Sequence, residues 1–152
     1  MNLPKPKIYG GYTMKYLICV LTLSMLLVSS VAFAADYVVI TNKSNPVTVV
    51  SAKEVKNIYL GKQRSWNDGS QVTVYTQTAS PVNGAFLKKI VKKSPQQYST
   101  FWKKSLFTGT GLPPKDFPDD AAMKKAVAAK AGAIGYISAA SLDDSVKKLD
   151  IN

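Results

Sequence analysis

Ser51-Ala52-Lys53-Glu54-Val55-Lys56-Asn57-Ile58-Tyr59-Leu60-Gly61, continuing through Lys62 to Trp66-Asn67-Asp68-Gly69, is the stretch on which the reading of the fold turns. Ser51 and Glu54 have the spacing of a capping box, in which each side chain satisfies a backbone N–H at the other's position. Val55, Ile58 and Tyr59 fall on one face of the helix predicted over 52–60. Gly61 stands where a left-handed C-cap is wanted. A turn carrying Trp66 and the start of a strand follow. The stretch is structural throughout and contains no obvious chemistry.

Upstream, Lys15 precedes an apolar run over 16–31, broken only by Thr22, Ser24, Ser29 and Ser30, and Ala32-Phe33-Ala34 follows with a small-x-small pattern. This predicts a cleavable signal peptide over 1–34, with cleavage near Ala34/Ala35 and a periplasmic or secreted product. The run is short of the ~20 residues a membrane span needs, so no transmembrane segment is expected in the mature chain. Met14 followed by Lys15 makes a more compact leader than Met1 does. Cys19 lies early in the apolar run, which argues against a lipoprotein cleavage site.

The mature chain, residues 35–152, is long enough for one domain with a real core, and it contains neither Cys nor His. Disulfides, thiolate metal sites, Ser-His-Asp and Cys-His catalysis are thereby excluded. Without Lys5, Lys7 and Lys15, 17 cations face 9 acids, a net charge of +8. Such a balance favours anionic partners.

Downstream the pattern alternates. Tyr37–Thr41 reads as a first strand, residues 72–75 as a second, Ala133–Ser138 as a third and 146–151 as a fourth at an edge. Ser80-Pro81 opens a helix to about Val91, with Ser at N-cap and Pro at the first helical position. Ser94-Pro95 repeats the device, with Gln97 at the third helical position, and starts a helix over 95–106 whose stripe is Tyr98, Phe101, Trp102 and Leu106. Residues 107–118 form a Gly/Pro-rich loop. Asp119 or Asp120 caps a helix running to Ala131, where Gly132 ends it. Strands alternating with helices predict a small, partly parallel sheet in an α/β domain.

Thr41-Asn42-Lys43-Ser44-Asn45-Pro46-Val47, Ile58-Tyr59-Leu60-Gly61-Lys62 with Trp66 and Asp68, and Ala133-Ile134-Gly135-Tyr136 together resemble the periplasmic phosphate-binding protein of bacterial phosphate ABC transporters. More closely, they resemble the small exported PBP-like (PstS-like) domain proteins related to it, over nearly all of the chain from about Val38 to Ile151. The resemblance implies a single periplasmic-binding-protein-like (type 2) lobe over 35–152, with a small mixed α/β sheet flanked by helices. A full binding protein of that family closes two lobes on its ligand; this chain resembles only the second.

In that family a strand ends in Arg, and a Ser/Gly-rich run with Ser-Gly-Thr leads into a helix. The matching stretch here is Val74-Tyr75-Thr76-Gln77-Thr78-Ala79-Ser80-Pro81-Val82-Asn83-Gly84-Ala85-Phe86. Ser80 matches the family's serine and Phe86 its helix anchor. Thr76 or Gln77 replaces the arginine, and Pro81 removes one backbone N–H. A charge-assisted hydrogen bond contributes roughly 1.5–3 kcal/mol, so losing one weakens binding by ~10-fold or more. Tight phosphate binding is not expected.

The remaining candidates for a small oxyanion, phosphate or similar, are Thr76, Gln77, Thr78, Ser80, Asn83 and Gly84 at this helix start, with Arg64, the one arginine of the chain. Against this, Ser80 reads more simply as a helix cap, Arg64 as a solvated loop residue, and Trp66 and Trp102 as core anchors. Lys88-Lys89 with Lys92-Lys93, Lys103-Lys104 and Lys124-Lys125 read as a solubilising face or as a patch for an anionic surface or envelope protein. Gly109-Thr110-Gly111 lacks the lysine of a phosphate-binding loop. The expectation is a non-enzymatic binding or accessory module without cofactor, metal or nucleic acid. The alternative is a basic envelope adaptor that keeps the fold and has lost the phosphate site.

Overall fold

The computed structural model describes residues 36–152. The expected leader, its cleavage point and the choice between Met1 and Met14 lie outside the described residues. Within them, six strands form one mixed sheet: β1 (Tyr37–Thr41), β2 (Val49–Val50), β3 (Thr73–Thr76), β4 (Lys115–Asp116), β5 (Ala133–Ser138) and β6 (Lys147–Ile151). Their order is β2-β6-β1-β5-β3-β4. β1 runs antiparallel to both of its neighbours, whereas β3 lies parallel to β4 and to β5, and β2 parallel to β6.

Four helices cover the sheet: α1 (Ala52–Tyr59), α2 (Pro81–Phe86), α3 (Pro95–Phe107) and α4 (Asp120–Ala128). Alternation along the strands assigns them to two faces. Val39, Ile134, Tyr136 and Leu149 point to the face packed by α1, α2 and α3. Ile40, Ala133, Ile137 and Val146 point to the other, against Met123 and Val127 of α4. Burying one such apolar side chain contributes about 1.5–3 kcal/mol, and both faces of the central pair β1–β5 do so. Gly135 is required there: a Cβ on it would stand 2.5 Å from Met123 Sδ, so α4 lies directly on the strand.

The opening stretch folds as its residues predict. Ser51 accepts from the Glu54 N–H while the Glu54 carboxylate accepts from the Ser51 N–H. Val55, Ile58 and Tyr59 are buried. At the far end Gly61 takes φ +67°, with Gly61 N–H donating to Ile58 O and Lys62 N–H to Asn57 O, a Schellman closure. Ser94 and Gln97 form the second capping box.

Several expectations are corrected. β6 is not an edge strand; it lies between β2 and β1. The edges are the two-residue strands β2 and β4, too short to leave any periodicity in the sequence, and β4 falls inside the stretch read as a loop. β3 is shifted one residue, to Thr73–Thr76. The helix from Pro81 runs to Val91 as expected, but its second half, Leu87–Val91, is a π-helical turn closed by Lys92 at φ 60°. α4 stops at Ala128 rather than Ala131. Its terminal carbonyls, Val127 O and Ala128 O, accept from Asn42 Nδ2 at 3.0 and 2.7 Å, a cap supplied from a distant loop. Leu106, placed on the apolar stripe of α3, is half exposed.

Candidate functional site

The segment from Thr76, the last residue of β3, to Gly84 within α2 carries six of the seven candidate residues. Its centre is the hydroxyl of Tyr136, brought from β5. Tyr136 donates to Asn83 Oδ1 at 2.7 Å and accepts from Gln77 N–H at 3.1 Å. Its single proton is thereby used, so Thr76 Oγ1, 2.9 Å away, donates to it. Burial pushes this phenol up to about 12, and the bonds from Thr76 and Gln77 pull the other way. The ring stacks on Phe86 at 4.1 Å. This is a neutral, closed network, with Thr76, Gln77 and Asn83 all buried.

Gln77 continues it. Its Nε2 donates to Asp120 Oδ1 at 2.9 Å and to Tyr136 O at 3.0 Å, which fixes the amide's orientation. Gln77 Oε1 is left buried with no partner among the described residues. An unfilled acceptor repels an anion rather than attracting it.

Thr78 faces outward and is gripped by a carboxylate. Its N–H donates to Asp116 Oδ1 and its hydroxyl to Asp116 Oδ2, both at 2.7 Å. Ser80 acts as the helix cap, its Oγ accepting from Val82 N–H at 3.4 Å while its carbonyl accepts from Asn83 N–H at 3.1 Å. Gly84 lies within α2, where a Cβ would only reach ordinary contact with Pro95.

Beside this loop is a cavity of about 470 Å³, walled by Leu87, Tyr98, Trp102, Leu106, Pro113 and Pro114, with Thr76, Thr78, Asn83, Lys103 and Asp116 also lining it. Trp102 is buried, as is Trp66, whose Nε1 donates to Gly132 O. The Tyr98 hydroxyl donates a hydrogen bond to Tyr59 O, and burial holds its phenol far above the usual range.

Arg64 is elsewhere. It is exposed on the connection between α1 and β3, with Nε 3.5 Å from Gly61 O. It lines a second hollow, of about 770 Å³, which shares Trp102, Pro113 and Pro114 with the first as a common wall. Arg64 does not line the cavity beside the loop at 76–84. The lysines of the paired runs at 88–89, 103–104 and Lys92 are exposed, while Lys124 is tied to Asp143 and Ser141 O. Among the described residues no cluster of His, Cys, Asp and Glu is placed to hold a metal ion, and no helix is long and apolar enough to cross a membrane.

Asp116, Asp120 and Tyr136 are the site residues that sequence reasoning missed. Asp116 sits 38 residues from Thr78 in a stretch without period. Tyr136 had a signal, a tyrosine at an inward position of a buried strand, whose hydroxyl needs a partner.

Comparison with known proteins converges on one fold. The family described as PBP superfamily domain matches residues 30–150. No curated protein matches the chain. Among solved structures, one from Clostridium perfringens, described as a phosphate ABC transporter substrate-binding protein with bound phosphate, is 24% identical with a TM-score of 0.62, over 76% of this chain and 44% of that one. An ABC-type phosphate transport receptor from Vibrio cholerae is 23% identical, TM-score 0.54, over 76% and 46%. PstS from Borrelia burgdorferi is 12% identical, TM-score 0.59, over 77% and 47%. The chain thus spans less than half the length of each of these structures, and at these identities the likeness is one of fold.

Proposed function

The chain belongs to the PBP superfamily domain family, and from that premise we propose that it is an exported, non-enzymatic binding module of the cell envelope, one lobe wide, that no longer takes inorganic phosphate. The observation that carries this is the grip of Thr78 on Asp116. Both donors of Thr78 already hold an anion, and that anion belongs to the chain. The inward donors are spent on Tyr136 and Asp120. Two like unit charges at about 4 Å repel by between ~1 kcal/mol in water and ~4 kcal/mol at a surface-like dielectric. A phosphate dianion beside Asp116 meets that repulsion without the arginine that would offset it.

Exposed Leu106, Phe107 and Leu112, with the lysines of α3, suit an accessory or adaptor role toward an acidic envelope partner. Such binding weakens steeply with salt. The second reading, a small oxyanion held weakly, is favoured by the net charge and by the phosphate bound in the Clostridium structure. Calorimetry with phosphate and sulfate at low salt separates the two. Absence of heat at millimolar anion is expected, and sub-millimolar phosphate binding overturns the proposal in favour of the second reading.

A further inference from the structure

The 470 Å³ cavity beside the loop is of the size small-molecule sites have, roughly 300–1,000 Å³, and its wall is mainly apolar. An inorganic ion has no use for Leu87, Tyr98, Trp102 and Leu106. Two opposite charges are among its lining residues. Asp116 is pre-oriented, because Thr78 holds both of its oxygens, and a carboxylate oxygen accepting one bond keeps a further lone-pair site free. Lys103 lines the same cavity on α3. The two do not pair: the ion pairs among the described residues are Lys124–Asp143 and Lys148–Asp150. Unpaired opposite charges that line one cavity with aromatic and aliphatic side chains suit a molecule that carries both charges and an apolar body.

The geometry points to a small zwitterion with an apolar side chain, an apolar or aromatic α-amino acid, as the ligand of this cavity. Its ammonium meets the free lone pairs of Asp116, its carboxylate meets Lys103, and its side chain lies against Tyr98, Trp102 and Leu106. Thr78 serves here as the positioning residue for Asp116. The inference rests on the reading of the chain as a binding module without inorganic phosphate, and names its ligand class.

The test is calorimetry on the purified protein with L-phenylalanine, 3-phenylpropionate, phenethylamine and inorganic phosphate as separate arms, together with the two indole N–H resonances in the NMR spectrum. L-Phenylalanine is expected to bind with a Kd of about 1 mM or tighter, moving the Trp102 resonance and leaving that of Trp66. Phenylpropionate, which lacks the ammonium, and phenethylamine, which lacks the carboxylate, are each expected to be weaker by ~10-fold or more. Asp116→Asn should weaken phenylalanine by a similar factor and leave phenylpropionate no weaker. No binding of phenylalanine, or equal binding of all three organic probes, overturns the inference; the comparison of probes on the unmutated chain stands even if the variant folds poorly. Sub-millimolar phosphate binding instead overturns the reading of the module on which the inference rests.

Discussion

Thr78 and Asp116 meet in a two-point grip, backbone N–H to one carboxylate oxygen and hydroxyl to the other, both at 2.7 Å, across 38 residues of chain. The grip joins the loop before α2 to β4, the edge strand beside β3.

Asp116→Ala releases both Thr78 donors and removes a negative charge from the cavity mouth. Phosphate binding, not expected of the unmutated protein, is expected to appear at millimolar concentration in calorimetry. The variant should also lose roughly 1 kcal/mol of stability, since both bonds are solvent-exposed and charge-assisted bonds are weaker there. A variant as inert to phosphate as its parent would show that the carboxylate is not what blocks the loop.

Tyr136→Phe deletes one oxygen and strands three buried groups, Gln77 N–H, Thr76 Oγ1 and Asn83 Oδ1. Each unsatisfied buried polar group costs about 1–3 kcal/mol. With some relaxation, a loss of roughly 2–4 kcal/mol is expected, or ~8–16 °C in Tm for a domain of this size. Thermal unfolding followed by circular dichroism measures it, and a change under ~1 kcal/mol would mean water fills the gap.

Two left-handed positions predict opposite signs. Gly61 has φ +67°, and a Cβ on it would come within 3.0 Å of the Trp102 ring. Gly61→Ala should therefore cost about 1–2 kcal/mol for backbone strain and more for the contact, with a shift in Trp102 emission. Lys92 has φ 60° at an exposed site after the π turn. Lys92→Gly should relieve strain and raise Tm by roughly 2–4 °C, less the entropy glycine loses on folding.

Acid should weaken the tie between α4 and the loop before β6. Lys124 above all, then the Ser145 hydroxyl and N–H, hold the Asp143 carboxyl well below its ordinary 3.8. A carboxyl lowered by folding contributes stability that is complete above that ordinary value and is lost as pH falls below it. Asp143→Asn should therefore flatten the fall of Tm on acidification from about pH 5 to 2. The Glu54 carboxyl, lowered by its Ser51 cap, leaves a remaining slope of the same sign. An unchanged profile in the variant would show the tie is screened by solvent.

Local chemistry was legible wherever partners stand close in sequence. Ser51 with Glu54, Ser94 with Gln97, Ser80 with Val82 and the left-handed Gly61 are interactions within four residues or at a helix end, and each was readable from spacing. The apolar run of β5 was readable because it is buried on both faces. Where the partner is remote, the reading failed. Asn42 caps α4 from 85 residues away, so Gly132 was mistaken for the stop. The two-residue strands β2 and β4 exist only because β6 and β3 are there to pair with them.

The amino-acid order by itself determined the layered α/β lobe, the capped ends of its helices and the absence of histidine, and of cysteine beyond residue 34, because those depend on neighbours along the chain and on composition. It also places no arginine in the loop after β3, the one arginine of the chain being Arg64. Tertiary structure alone decided what fills that place. Pairing of β4 beside β3 sets Asp116 on Thr78, and packing of β5 under α2 sets the Tyr136 hydroxyl among Thr76, Gln77 and Asn83. Hydrogen bonds act over about 3 Å, and only the fold brings such distant residues within that range.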